Sequence, residues 1–322
     1  ELLDGIAEAV TDGIVDLRPI IFVYTLGTTA KLLFGEPHSN MAQDKREAVR
    51  DNLDYATFVC GIRAHPADGA WLYNPPRFRA ICRAVSEWAT FFVDKAFRYK
   101  DEFGEEAAAE KYAFIVDLRR EMRDIELVRE QLLHILVAGR DSTATWLSWT
   151  IFHLVRNPDA LERLQRETAV IPKEGHLTRD QIQKMHFLRC SYHNAYNAYS
   201  RLTETALRLY PTLPMNLRFI GKATVLPRGR GPDGRSPVLL QGSGIIFSIY
   251  HLHRLESIYR PDSREYRSQR WESGELSKKA RPGLVYVDFN AGPRLCLERK
   301  DFALMEASYA IVSILHKYRI TS

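Results

Sequence analysis

Two short stretches of this 322-residue chain hold residues in an order that can do chemistry. The first is Phe289-Asn290-Ala291-Gly292-Pro293-Arg294-Leu295-Cys296-Leu297. A glycine- and proline-bent loop delivers a cysteine to the start of a helical pattern running through Phe302, Ala303, Met305, Ala307, Ile311, Ile314 and Leu315. A thiol at a helix N-terminus, two residues after an arginine, sits in positive potential, which lowers its pKa and makes the thiolate a candidate metal ligand. Gly292 lets the backbone run close to a flat cofactor. The second stretch is Ala138-Gly139-Arg140-Asp141-Ser142-Thr143-Ala144, in the middle of a long apolar segment. Polar groups left unsatisfied there are costly, so they need a reason. One reading is a satisfied Arg140–Asp141 pair, with Ser142 and Thr143 bonded back to helix carbonyls. The other is that Ala138 and Gly139 let a ligand approach while an acid and an alcohol face it, a general-acid arrangement.

The elements that must position these stretches are mostly helical. From about Asp124 to Arg156 no breaker appears until Asn157-Pro158. The centre of that helix is apolar on nearly all sides (Leu132, Leu133, Ile135, Leu136, Val137, Trp146, Leu147, Trp149, Ile151), which predicts a buried helix. Upstream, helices are predicted within residues 6–15, 20–34 and 45–64, and over 78–99, where Ile81, Val85, Trp88, Ala89, Phe92 and Ala96 share a face. The charged segment 100–111 reads as a solvated connector. Helix signals return at 158–168 and 178–184. After Pro211 the pattern turns to strands: an alternating run over 217–226, a turn at Gly231-Pro232-Asp233-Gly234, a return at 238–240 and an extended run over 244–250. The expected fold is mainly α with a small β-sheet, in a single domain over 1–322.

Composition narrows the class. With 45% hydrophobic and 26% charged residues the chain can bury a sizeable core. Cys60, Cys82, Cys190 and Cys296 lie far apart with no C-x-x-C pair, which favours neither a disulfide framework nor a cysteine zinc site. A net charge of +5, with both signs interspersed, is not a nucleic-acid footprint. No stretch is expected to reach the length of a transmembrane helix, and no signal peptide opens the chain. Residues 1–10 begin in mid-helix pattern with no methionine, which suggests a fragment.

The pattern F-x-x-G-x-R-x-C of the cysteine loop resembles the haem-binding loop of the cytochrome P-450 family, the haem-thiolate monooxygenases. Ala138 to Thr143 resembles that family's oxygen-binding groove, A-G-x-D-T-T, with Ser142 in the usual threonine slot. The segments 226–237, Tyr259-Arg260-Pro261-Asp262 and Arg270-Trp271 are similar to the fungal alkane and fatty-acid hydroxylase branch. The resemblance implies a cytochrome P-450 fold, incomplete at the N-terminus, with haem b (iron protoporphyrin IX) held between the central helix and the cysteine loop. It implies Cys296 as the iron ligand and Phe289, Gly292, Ala138 and Gly139 against the haem, with Arg294 and Arg218 on its propionates. Asp141, Ser142 and Thr143 would supply protons. The implied reaction is O2-dependent hydroxylation of a hydrophobic small molecule, with electrons from an NADPH-cytochrome reductase docking near Lys278, Lys279, Arg281, Arg299 and Lys300. The anchored full-length protein would lie on the cytosolic face of the endoplasmic reticulum membrane.

The chain departs from the family's pattern in three places. The helical E-x-x-R pair has Glu204 and Arg208 four apart, with Thr205 in the expected slot, and 195–203 looks inserted; a real substitution and a retained intron or gene-model error both fit. The usual P-E-R-W is Ser268-Gln269-Arg270-Trp271. After Cys296 the expected x-G is Leu297-Glu298-Arg299, which sets a carboxylate near the thiolate. A degenerate, haem-poor helical relative is the alternative these departures raise.

Overall fold

Helix boundaries follow the chain's own stop signals. The computed structural model describes residues 2–37, 42–64, 67–172, 177–185, 188, 202–225, 238–267, 270, 285–291, 296 and 299–320. Two compact units make up the chain, Glu1–Ala144 and Thr145–Ser322.

The first unit is helical: α1 (Leu2–Ala9), α2 (Leu17–Phe34), α3 (Gln43–Ala64), a 3-10 turn (Ala67–Leu72), α4 (Pro76–Phe103), α5 (Glu105–Lys111), α6 (Ala113–Glu121) and the first half of α7 (Ile125–Arg156). The Asp16 carboxylate caps α2 by accepting from Arg18 N–H, and Gly35 ends it in the left-handed region at φ 70°. The neighbouring Glu36 takes hydrogen bonds from Lys95 at 2.7 Å and Tyr112 at 2.8 Å. Desolvation opposes its charge, yet these two donors hold the carboxyl below its usual pKa. One apolar core runs through Leu26, Leu33 and Phe34 of α2, Trp88 and Phe92 of α4, and Leu132 and Leu136 of α7.

Two expectations change here. Segment 100–111 is not a connector: α4 runs to Phe103, and after Gly104 a new helix buries Ala108. Its first-turn Glu105 and Glu106 and last-turn Lys111 suit the helix dipole. And α2 is long and apolar enough to cross a membrane by length and composition, with a mean hydropathy of 1.2. Half of it is buried inside the unit, its Leu26, Ala30, Leu33 and Phe34 in the core.

The second unit holds the rest of α7, then α8 (Pro158–Ala169), α9 (Arg179–Gln183) behind a Thr178–Gln181 capping box, and α10 (Leu202–Leu209). β1 (Met215–Phe219) pairs antiparallel with β4 (Gly244–Ser248), and β2 (Thr224–Val225) with β3 (Val238–Leu239). The extended run over 244–250 stops at Ser248, whose hydroxyl accepts from His251 N–H and starts α11 (Ile249–Leu252). Then come α12 (Glu256–Tyr259) and the last helix, α13 (Arg299–Lys317), which packs on α8 and α9. The fold is therefore mainly α with a small antiparallel β component, as the periodicities predict.

Buried arginines organise the irregular part of this unit. Arg208, fully buried, donates to the carbonyls of His253, Ser263 and Glu265. Its own burial and the nearby Arg270 charge bring its pKa down to about 10, so it stays charged at neutral pH. Arg270 donates to the Tyr259 carbonyl at 2.7 Å and to both the side chain and the backbone carbonyl of Asp262. The Tyr286 hydroxyl reaches the Glu204 carbonyl at 3.2 Å. The apparent insertion falls outside the described residues over 195–201, as do Ser268, Gln269 and Trp271.

Candidate functional site

Cys296 belongs to the second unit, in a loop closed on itself. Its N–H donates to the Phe289 carbonyl at 3.0 Å. Asn290 takes a left-handed conformation at φ 65°, which asparagine tolerates better than most residues. That geometry leaves its amide N 4.0 Å from the Cys296 sulfur. The Asn290 side-chain oxygen accepts from Asn216 Nδ2 at 2.6 Å. Asn216, on β1, in turn accepts at 2.8 Å from Arg218, whose guanidinium also donates to the Leu217 carbonyl and lies 5.6 Å from the Phe247 ring. Arg218 and Cys296 are thus linked through two asparagines that the sequence reading missed. The available signal was the left-handed tendency of an Asn before Ala-Gly; the partner on β1 needed the strand register.

Cys296 is exposed. Its thiol pKa runs against the expected direction. Desolvation by the loop around it pushes the thiol up, the Asn290 amide pulls it down, and the Asp288 charge pushes it up again. Arg294, whose charge underlies the opposite expectation, lies outside the described residues, as do Gly292, Leu297 and Glu298. Lys278, Lys279 and Arg281 also lie outside them, and only the backbone of Arg299 and Lys300 is described.

The central-helix candidates belong to the first unit. Arg140 is 1% exposed and forms an ion pair with Asp54 of α3, 86 residues away; its other arm lies 3.4 Å from Asp141. The Phe22 ring sits 5.4 Å from the guanidinium carbon. The Ser142 hydroxyl donates to the Ala138 carbonyl, and Thr143 is buried. Burial pushes the Asp141 carboxyl above its ordinary pKa; Arg140 opposes that, and Asp54 adds to it. Asp141 reaches a cavity of about 780 Å³ that is also lined by Asp16, Arg18, Phe22, Arg50 and Asp54. The helix is not buried all round. His134, Ala138 and Ser142, four residues apart, form an exposed stripe, with Gly139 half-buried beside it. Ala138 and Gly139 are the small residues at this stripe, and they leave room for a group to approach the helix. An exposed cysteine with a side-chain N–H beside its sulfur suits a thiolate ligand. The residues described around Cys296 therefore fit the thiolate ligand of a haem.

Comparison with known proteins bears on these features together. A family model described as Cytochrome P450 matches residues 1–322. Cytochrome P450 52A3-A of Candida maltosa is 35% identical over 316 residues, covering 94% of this chain and 58% of the relative. Cytochrome P450 52A6 of Candida tropicalis is 34% identical over 320 residues, covering 95% and 59%. Cytochrome P450 monooxygenase g430 of Fusarium sp is 32% identical over 323 residues, covering 94% and 54%. The chain therefore spans under two thirds of the length of these relatives.

Proposed function

The chain belongs to the cytochrome P450 family, and from that premise we propose that it acts as a haem-thiolate monooxygenase hydroxylating a hydrophobic substrate, a long-chain fatty acid or alkane. Haem b held by the Cys296 sulfur supplies the oxidising chemistry, with the thiolate enriching its electron density. The observation that carries the reading is the Cys296 loop, with its exposed sulfur, the Asn290 amide beside it and the link through Asn216 to Arg218. In this reading the side-chain N–H of Asn290 tunes the sulfur, and Arg218, steadied by Asn216, binds a haem propionate together with Arg294. Phe289 holds the loop by accepting from Cys296 N–H. Gly292, Ala138 and Gly139 would contribute small residues at the haem site.

Asp141 is the proton donor of this reading. A carboxyl raised by burial holds its proton at higher pH than a free one, and Arg140 limits how far it rises. The charged cavity that it lines is the route by which solvent would return its proton. Ser142 must turn away from the Ala138 carbonyl to take part, with Thr143 behind it. The aliphatic substrate is supported by the likeness of 226–237, 259–262 and 270–271 to the fungal hydroxylase branch. Electrons come from an NADPH-cytochrome reductase docking near Lys278, Lys279, Arg281, Arg299 and Lys300, at the endoplasmic reticulum membrane.

The test is a reduced carbon-monoxide difference spectrum of the purified protein. The thiolate Soret band should be present in the wild type and in Cys60→Ser, Cys82→Ser and Cys190→Ser, and absent in Cys296→Ser. An unchanged band in Cys296→Ser overturns the ligand assignment. Turnover of a long-chain fatty acid with a fungal reductase tests the substrate class, and a haem-loaded protein that oxidises no aliphatic chain overturns that part.

A further inference from the structure

Two cysteines outside the haem chemistry share one helix hairpin. α3 and α4 pack along each other in the first unit, joined by the short stretch that holds the 3-10 turn. Contacts near the turn fix their register. Arg63 of α3 donates to the Asn74 side-chain oxygen at 3.2 Å, and its guanidinium lies 5.1 Å from the Phe78 ring of α4. One helical turn back from Arg63 is Cys60, and one turn on from Phe78 is Cys82. Steps of three and four residues stay on one helix face, so the two thiols lie at the next level of the same contact. Facing residues of two packed helices can approach to the separation that a disulfide bridges. Burial, the larger cause, and then the Cys60 charge raise the Cys82 thiol pKa, while Arg63 lowers it. Cys60 is exposed and Cys82 half-buried, and both are free thiols.

We propose that Cys60 and Cys82 are an oxidisable dithiol that closes to a disulfide and clamps α3 against α4. Thr57, Phe58, Gly61 and Ile62, on either side of Cys60, line the charged cavity that Asp141 reaches, so closure fixes one wall of that cavity. Glutathione disulfide is a sufficient oxidant. The exposed Cys60 thiolate attacks it, forming a mixed disulfide and releasing one glutathione thiolate. The Cys82 thiolate then attacks the Cys60 sulfur and releases the second glutathione. Two protein thiols lose two protons and two electrons, and one glutathione disulfide becomes two glutathione thiols. The exposed thiol reacts first and the shielded one resolves, since access and thiolate fraction set the order.

The experiment is a non-reducing peptide map of the full chain after incubation with glutathione disulfide at mildly alkaline pH, with remaining thiols alkylated. The expected result is a crosslinked peptide pair containing Cys60 and Cys82, lighter by two hydrogens and split by reductant. Cys82→Ser should instead carry glutathione on Cys60, and Cys60→Ser should leave Cys82 alkylated. Hydrogen exchange of 57–62 should be slower in the crosslinked form. Wild-type protein carrying glutathione on Cys60 with Cys82 alkylated overturns the pair. So does a crosslink from Cys60 to Cys190 or Cys296. Crosslinked protein with unchanged exchange over 57–62 overturns the clamp. The wild-type map decides the pairing even where a serine variant fails to fold.

Discussion

Lowering the pH from 7 to 5 should destabilise the second unit through His253 in particular. The imidazole is fully buried, and its Nε2 accepts from the Val287 N–H at 3.0 Å, which places the ring proton on Nδ1. Burial, then the Arg208 charge, and further Arg254, press its pKa down from 6.5 to about 3, while two backbone hydrogen bonds pull the other way. The Tyr286 ring packs 5.1 Å away. A base whose folded pKa is depressed contributes full stability above its unfolded pKa. That contribution is lost as pH falls below 6.5, because only the unfolded chain takes up the proton. At about 1.36 kcal/mol per pH unit, the interval from 6.5 to 5 removes about 2 kcal/mol. That loss hardly depends on how far below 4 the folded pKa lies. His153, stacked on Tyr266 at 4.3 Å and held at about 4 by burial and Arg156, adds a loss of the same size. The assay is urea unfolding followed by circular dichroism at pH 7 and pH 5, for the wild type and His253→Gln. A glutamine oxygen can still accept from Val287 and does not titrate. The variant should lose about 2 kcal/mol less than the wild type over that interval. Parallel pH dependence in the two proteins would refute the reasoning.

Other perturbations read other parts of the molecule. Gly35→Ala adds a Cβ that overlaps the Lys111 carbonyl oxygen at a left-handed position, and should destabilise by roughly 1–3 kcal/mol in a thermal or urea melt. Asp54→Asn leaves the buried Arg140 with Asp141 alone; because Asp54 is itself half in water, the loss should be about 1–3 kcal/mol, and adding Arg140→Met should recover part of it. Asp141→Asn and Ser142→Ala, in the haem-loaded protein, should slow product formation and divert reducing equivalents to peroxide with the carbon-monoxide spectrum unchanged; full coupling in both would make the pair structural only. Asp262, held at about 2 chiefly by hydrogen bonds from Arg270 and Arg267, should contribute stability lost only as pH falls below its ordinary 3.8, a window separate from the histidines.

The long elements were legible because they obey one rule each. The central helix was readable to within a residue or two at each end, since Asn157-Pro158 can end nothing else so cleanly. α5 was not, because charge density reads as solvation and its only buried residue is an alanine. Gly292 and Arg294 marked Cys296 as a candidate, but its electrostatics were not legible. Asp288, eight residues before it, and the Asn290 amide act through a loop shape that periodicity cannot express. The Asp54–Arg140 pair spans 86 residues, and no local pattern points from one to the other. The sequence alone offered Asp141 as Arg140's partner; the three-dimensional contact adds Asp54.

The two buried arginines have a consequence for how the chain between α11 and Arg270 keeps its shape. Among its described residues only short helical turns occur, and several carbonyls meet side chains in place of a helix or sheet ladder. Arg208 gathers three of them from His253, Ser263 and Glu265, and Arg270 gathers those of Tyr259 and Asp262. Each guanidinium is a rigid plane with several donors, so it acts as a template against which a patternless segment is cast. The conformation of the segment is then encoded at two positions, Arg208 on α10 and Arg270 at the segment's own end. Neighbouring side chains on that segment are free to vary so long as their backbone oxygens still meet the plane. A lysine at either position keeps the charge and loses the mould, because one ammonium cannot span the same carbonyls.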